Sequence, residues 1–200
     1  MKNESKIKKW EAALLIALSI TLCHGVRLCA QQEKLTENVV RLHVIAENDD
    51  EEEQALKLRV RDSVLECLAP LTHSAQSIDN ARRVIEENLE NIEKAAVSAS
   101  EGREVRVEFS SMAYPRRCTG SFTLPAGEYN SLRVIIGKGE GQNWWGIIFP
   151  YLVSDSVEEV SEAVKILGGD TFALISEDGM ETQYKFKFLE ILDALRAKFG

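Results

Sequence analysis

Val40-Arg41-Leu42-His43-Val44-Ile45-Ala46 alternates apolar and polar side chains, the period of an extended strand. Neighbouring residues of a strand leave by opposite faces, so Leu42 and Val44 share one face and Arg41 and His43 the other. Asn48-Asp49-Asp50-Glu51 follows, with turn chemistry first and then acidic side chains that suit the positive end of a helix. A helix is expected from about Glu52 to Ala69. Leu56, Val60, Val64, Cys67/Leu68 and Leu71 form its apolar stripe, Glu53 lies one turn from Lys57, and Pro70 stands at its end.

Working outward, Ser77 caps a second helix whose inward positions are Ala81, Val84/Ile85, Leu89, Ile92 and Ala95/Ala96, closed by Gly102. Val105, Val107 and Phe109 alternate with Arg106 and Glu108 as a strand, which Tyr114-Pro115 interrupts. A short strand is expected around Gly120–Leu124, a turn at Pro125-Ala126-Gly127, and a further strand through Leu132, Val134 and Ile136. Gly137, Gly139 and Gly141 form a glycine-rich loop before Asn143-Trp144-Trp145, and Ile147-Ile148-Phe149 reads as buried up to Pro150. Ser156–Leu167 reads as a helix ended by Gly168-Gly169, Thr171–Ser176 as a strand, and Glu177-Asp178-Gly179 as a turn. Phe188, Ile191/Leu192, Leu195 and Phe199 recur at helical spacing. This order predicts an α+β or mixed α/β fold: one domain over 31–200, a mixed sheet flanked by helices.

Ahead of it, Lys2, Lys6, Lys8 and Lys9 precede the apolar run Ala12–Cys23, and Arg27 closes it. That order is a signal peptide or uncleaved anchor over residues 1–30. The apolar run covers about 18 Å as a helix, against about 30 Å of bilayer hydrocarbon, which favours a cleaved leader with Ala30 before the cut. The leader holds five basic side chains against Glu4 and Glu11, so a chain of net charge −8 leaves −11 on the remainder. An acidic domain does not suit nucleic acid or anionic lipid, and membrane contact is expected only through the leader.

Beyond the leader only Cys67 and Cys118 occur, and only His43 and His73, with no metal-ligand spacing. No cofactor or metal is expected. Gly137-Lys138-Gly139-Glu140-Gly141 lacks both the dinucleotide fingerprint and the lysine-serine/threonine ending of a phosphate loop, so a turn needing positive φ is the reading. No nucleophile motif accompanies either histidine. Trp144 and Trp145 should point to opposite sides: either one fills the core and the other reaches outward as a recognition anchor, or both are core.

Four strings in order resemble the stage II sporulation protein R family. They are Arg41-Leu42-His43-Val44-Ile45-Ala46, Gln54–Asp62, Leu124-Pro125-Ala126-Gly127-Glu128-Tyr129 and Leu132–Trp145, within a match from about Val40 to Val153. The resemblance implies a protein made in the forespore and exported into the space between forespore and mother cell, or tethered there if its leader is retained. It implies a partner, the membrane-embedded aspartic protease of the mother cell, which cleaves the precursor of sigma-E. The chain itself would then be a non-enzymatic activator, with Arg41, His43, Asn143, Trp144 and Trp145 as the expected contact residues. Alternatives are a secreted cell-wall hydrolase using His43 and a carboxylate, or a carbohydrate-binding module using Trp144 or Trp145. The chain departs from the family pattern at Gly146 and Val153, where cysteines are usual, and at Tyr151, Glu47-Asn48 and Thr119. The paired absence implies a disulfide in relatives that this chain lacks.

Overall fold

The computed structural model describes residues 2–119, 122–152 and 157–176, with 187, 189, 191, 194 and 198. The turn expected at Glu177-Asp178-Gly179, most of the C-terminal stripe and the side chain of Cys118 lie outside the described residues. Strand β1 (Val40–Ile45) is central, in a five-stranded sheet of order β2-β5-β1-β6-β7. It runs parallel to β5 (Gly127–Ile136) and antiparallel to β6 (Asn143–Phe149). Strand β2 (Val105–Tyr114) pairs antiparallel with β5, and β7 (Tyr151–Leu152) with β6, so the sheet is mixed, as the sequence predicts.

One sheet face carries Leu42, Val44, Leu132, Val134, Ile136 and Val105. Helices α2 (Glu51–His73), α3 (Ile78–Glu87) and α4 (Leu89–Ser98) cover it with Leu56, Val60, Val64, Leu68, Ala81, Ile85, Ile92 and Ala96, the predicted stripes. The other face is covered too. Tyr114, Tyr129 and Ile147 pack there with Leu28 and Leu35 of α1 (Lys2–Glu37), with Ala163 and Leu167 of α5 (Val157–Leu167), and with Phe172, Leu174 and Ile175 of α6 (Gly169–Ser176). A separate hairpin, β3 (Arg117–Thr119) and β4 (Phe122–Leu124), joins this layer through Phe122 and Leu124.

Several elements differ from expectation for local reasons. Helix α2 runs through Pro70 to His73. The single helix expected after Ser77 is two, split at Asn88, whose side-chain amide donates to the Val84 carbonyl at 2.8 Å and competes with the backbone ladder. Ser77 does cap α3, accepting from the Asn80 amide. Thr171–Ser176 is helical, not a strand; Gly168 (φ +83) ends α5 and its carbonyl accepts from Phe172, starting a new turn. A short apolar run cannot reveal its own period. Glu53 does not pair with Lys57. It takes the Arg103 guanidinium at 2.6 Å, while Lys57 donates to the Gln142 carbonyl at 3.1 Å.

Helix α1 continues without a break through Arg27 and Ala30 to Glu37. It is long and apolar enough to cross a membrane, by length and composition, so the shortness expected of the apolar run does not apply to the helix that contains it. Its outer part exposes Trp10, Leu14, Leu15, Ile16, Leu18, Ile20, Leu22 and Val26, whereas Leu28 and Leu35 are buried in the domain. Arg27 meets Asp170 of α6 at 2.8 Å. Cys67 is a free thiol in the helical layer, and burial raises its pKa.

Candidate functional site

Every residue of β1 is buried, Arg41 and His43 included. Alternation places these two on the second sheet face, and register decides what meets them. Arg41 stands opposite Ser131 and Ile147, His43 opposite Arg133 and Trp145, and Ile45 opposite Asn143. Three of the other expected contact residues therefore gather beside Arg41 or on its face: His43, Asn143 and Trp145. Trp144 leaves by the opposite face, as adjacent strand residues must. It packs at the edge of the helical core, with the Arg61 guanidinium 5.0 Å from its ring centre. A Cβ on Gly146 would lie 2.7 Å from Cζ3 of that indole, so the absence of a side chain at this position is what lets the Trp144 ring lie flat there.

Arg41 is wholly buried, and its Cζ lies 4.3 Å from the Tyr114 ring centre, 5.0 Å from Tyr129 and 5.4 Å from Trp145. Tyr114 hydroxyl and Ser131 hydroxyl share a short hydrogen bond, and Tyr129 donates to the Pro125 carbonyl at 2.7 Å, so both rings are fixed. Burial raises the pKa of both tyrosines and lowers that of Arg41. Among the described residues, no hydrogen-bond partner meets Nε or either terminal nitrogen of Arg41. Cation–π contacts contribute roughly 0.5–2 kcal/mol each, whereas an unpaired buried charge costs several kcal/mol. Tyr114, Tyr129 and Ser131 were not singled out by sequence. Their signal was parity alone: Tyr114 shares the face of Arg106 and Glu108, and Tyr129 that of Arg133.

His43 stacks on Trp145, ring centres 3.6 Å apart and 15° from parallel. Burial pushes its pKa down to about 4; the Asn143 amide opposes the shift, and Arg133 and Arg41 add to it. The ring is neutral at pH 7. The charged groups acting on it are cations, Arg133 itself being paired with Glu108 at 3.1 Å, so the acid–base pair needed by a hydrolase is missing from its surroundings among the described residues. The unfolded ring titrates near 6.5. Below that value the unfolded chain takes up a proton that the folded one refuses. Stability is therefore full above pH 6.5 and declines as pH falls toward about 4. Urea midpoints measured from pH 7.5 to 4.5 should fall, and fall less in a His43→Asn variant; equal slopes would remove His43 as the cause.

The glycine loop is structural. Gly137 (φ +56) and Gly139 (φ +67) adopt the positive φ expected. Its amides are engaged: Gly137 donates to Glu104, Gly139 to Ile136, Glu140 to Glu47, Gly141 to Ala46, and Gln142 to the Asp49 side chain. That leaves no cradle of free N–H groups for a phosphate. Among the described residues, no group of histidine, cysteine and carboxylate side chains could hold a metal ion.

The architecture is thus a mixed-sheet domain with a buried cationic, aromatic centre, joined directly to a helix long enough to span a membrane. Residues 36–159, from the end of α1 to the start of α5, match the family model of stage II sporulation protein R, and the chain belongs to that family. Stage II sporulation protein R of Bacillus subtilis (strain 168) is 32% identical over 122 residues, 59% of this chain and 54% of that relative. The chain therefore spans about half the length of the curated relative it matches. No solved structure matches. Membership assigns the chain to sporulation, in a family named for a stage of sporulation rather than for an enzymatic activity, and its apolar N-terminal helix has the character of a signal or anchor segment.

Proposed function

We propose that this protein is an exported sporulation signal, made in the forespore, that activates the membrane-embedded aspartic protease of the mother cell, which processes the sigma-E precursor. The family match over residues 36–159 carries this reading. The apolar stretch of α1 supports export or tethering at the intermembrane space. The neutral, cation-flanked His43 gives no support to a hydrolase. Activation by binding requires that the chain prefer the active arrangement of the protease. Arg41, His43, Asn143, Trp144 and Trp145 remain the proposed contact set, divided between two faces: Asn143 is exposed, Trp145 is the half-buried lid of the Arg41 cage, and Trp144 serves the helical side.

The test is cleavage of the sigma-E precursor by the protease in reconstituted membranes, with and without the purified full chain. Cleavage should depend on the chain. An unchanged rate sinks the proposal.

A further inference from the structure

Arg41 is by volume the largest of the fully buried side chains. A guanidinium keeps its proton at any physiological pH, so the charge remains inside the cage. The rings of Tyr114, Tyr129 and Trp145 attract the cation through their π faces, but they accept none of its N–H bonds in the plane of the fork. A second guanidinium, Arg117 on β3, stands 6.0 Å from the same Trp145 ring centre. Several carboxylates among the described residues pair with other arginines. Asp170 holds Arg27, Glu101 holds Arg59, Asp62 holds Arg61, Glu53 holds Arg103 and Glu108 holds Arg133. In a chain of net charge −8, two arginines converge on one indole, and among the described residues no ion pair joins a carboxylate to either of them.

We infer that Arg41 is the receptor for a carboxylate, carried on an acidic side chain of a partner protein, with Arg117 as the second cation of the site. The planar guanidinium matches a carboxylate in two parallel N–H···O bonds, and flat aromatic walls favour a flat anion over a tetrahedral one. The β3–β4 hairpin carries Arg117 and forms a sheet of its own, seated on the second core through Phe122 and Leu124, which holds the second guanidinium beside the Trp145 ring. The site stands on this geometry alone, whichever protein supplies the acid.

Arginine side-chain NMR of the full chain in an uncharged detergent tests it. The Arg41 Nε–Hε signal is assigned by its loss in Arg41→Lys, and is then followed against four probes: an end-blocked glutamyl tripeptide, its glutaminyl counterpart, sodium acetate and inorganic phosphate. The glutamyl peptide should shift the signal saturably and bind roughly tenfold more tightly than the glutaminyl one, the loss of a charge-assisted pair. Arg117→Gln, an exposed position that should leave the fold intact, should weaken it several-fold. Acetate binding as tightly as the peptide overturns a protein side chain as the source. Phosphate binding more tightly than any carboxylate, or an Arg41 signal that no probe moves, overturns the site.

Discussion

Replacing Arg41 by methionine should raise the unfolding free energy of the domain by about 2 kcal/mol and abolish the proposed activation of the protease. The wild-type guanidinium has lost its water without gaining a hydrogen bond among the described residues. Its compensation is three aromatic contacts, at 4.3, 5.0 and 5.4 Å from the ring centres, and these do not offset the desolvation of a full charge. Methionine has similar length, bends to fill the same channel, and places a sulfur where such rings accept one favourably. A gain of this size moves the midpoint of thermal unfolding up by about 4–8 °C in a chain of this length. Unfolding of the full chain in detergent and reconstituted precursor cleavage should both be measured. A variant that is destabilised by more than about 1 kcal/mol would show that the charge holds the sheet together rather than waiting for a ligand. Stability rising while activity disappears is the signature of a group kept for binding at the expense of the fold.

The same residue marks how far the sequence could be read. Alternation in Val40–Ala46 identifies β1 and states which side chains share a face, and the helical stripes in α2, α3 and α4 state what covers Leu42 and Val44. Nothing local states what covers Arg41. Its cover comes from Tyr114 at the far end of β2, Tyr129 on β5 and Trp145 on β6, assembled by a register that depends on long-range pairing. A polar residue on a half-buried strand therefore looked like a surface residue, when it lies at the centre of a second core. That Trp144 and Trp145 leave by opposite faces was legible, because it needs only strand parity; that each packs half-buried against a core, with neither standing outward, was not. The break at Asn88 was not, because an amide that bonds back to Val84 leaves the apolar spacing intact while ending the helix. The glycine loop was legible as a turn, but its engagement with Ala46, Glu47 and Asp49 was not.

That engagement sets the other large effect: Gly141→Ala should destabilise the domain by about 3 kcal/mol or more. A Cβ at this position would fall within van der Waals range of the Asn48 carbonyl oxygen, 2.5 Å from its carbon and 2.9 Å from its Cα. All three are backbone atoms, so no rotamer change relieves the overlap. Asn48 in turn sits in the turn between β1 and α2, where its side chain accepts from the Asp50 amide and its carbonyl accepts from the Gln54 side chain. Moving it strains the start of α2, and moving Gly141 breaks the bonds from Gly141 to Ala46 and from Gln142 to Asp49 that bring β6 alongside β1. Gly137 is a useful contrast: a Cβ there meets the Glu47 side chain, which can swing aside, so the cost is mainly that of its positive φ, about 1 kcal/mol. Gly169 is the control, with nothing within 4 Å, and its alanine variant should stay within about 0.5 kcal/mol of wild type. Urea unfolding gives the ordering directly, and tryptophan fluorescence should show Gly141→Ala disturbing the surroundings of Trp144 and Trp145 at zero denaturant. If Gly141→Ala unfolds at the same midpoint as Gly169→Ala, the loop does not hold β6 in register and the cage around Arg41 owes its geometry to another element.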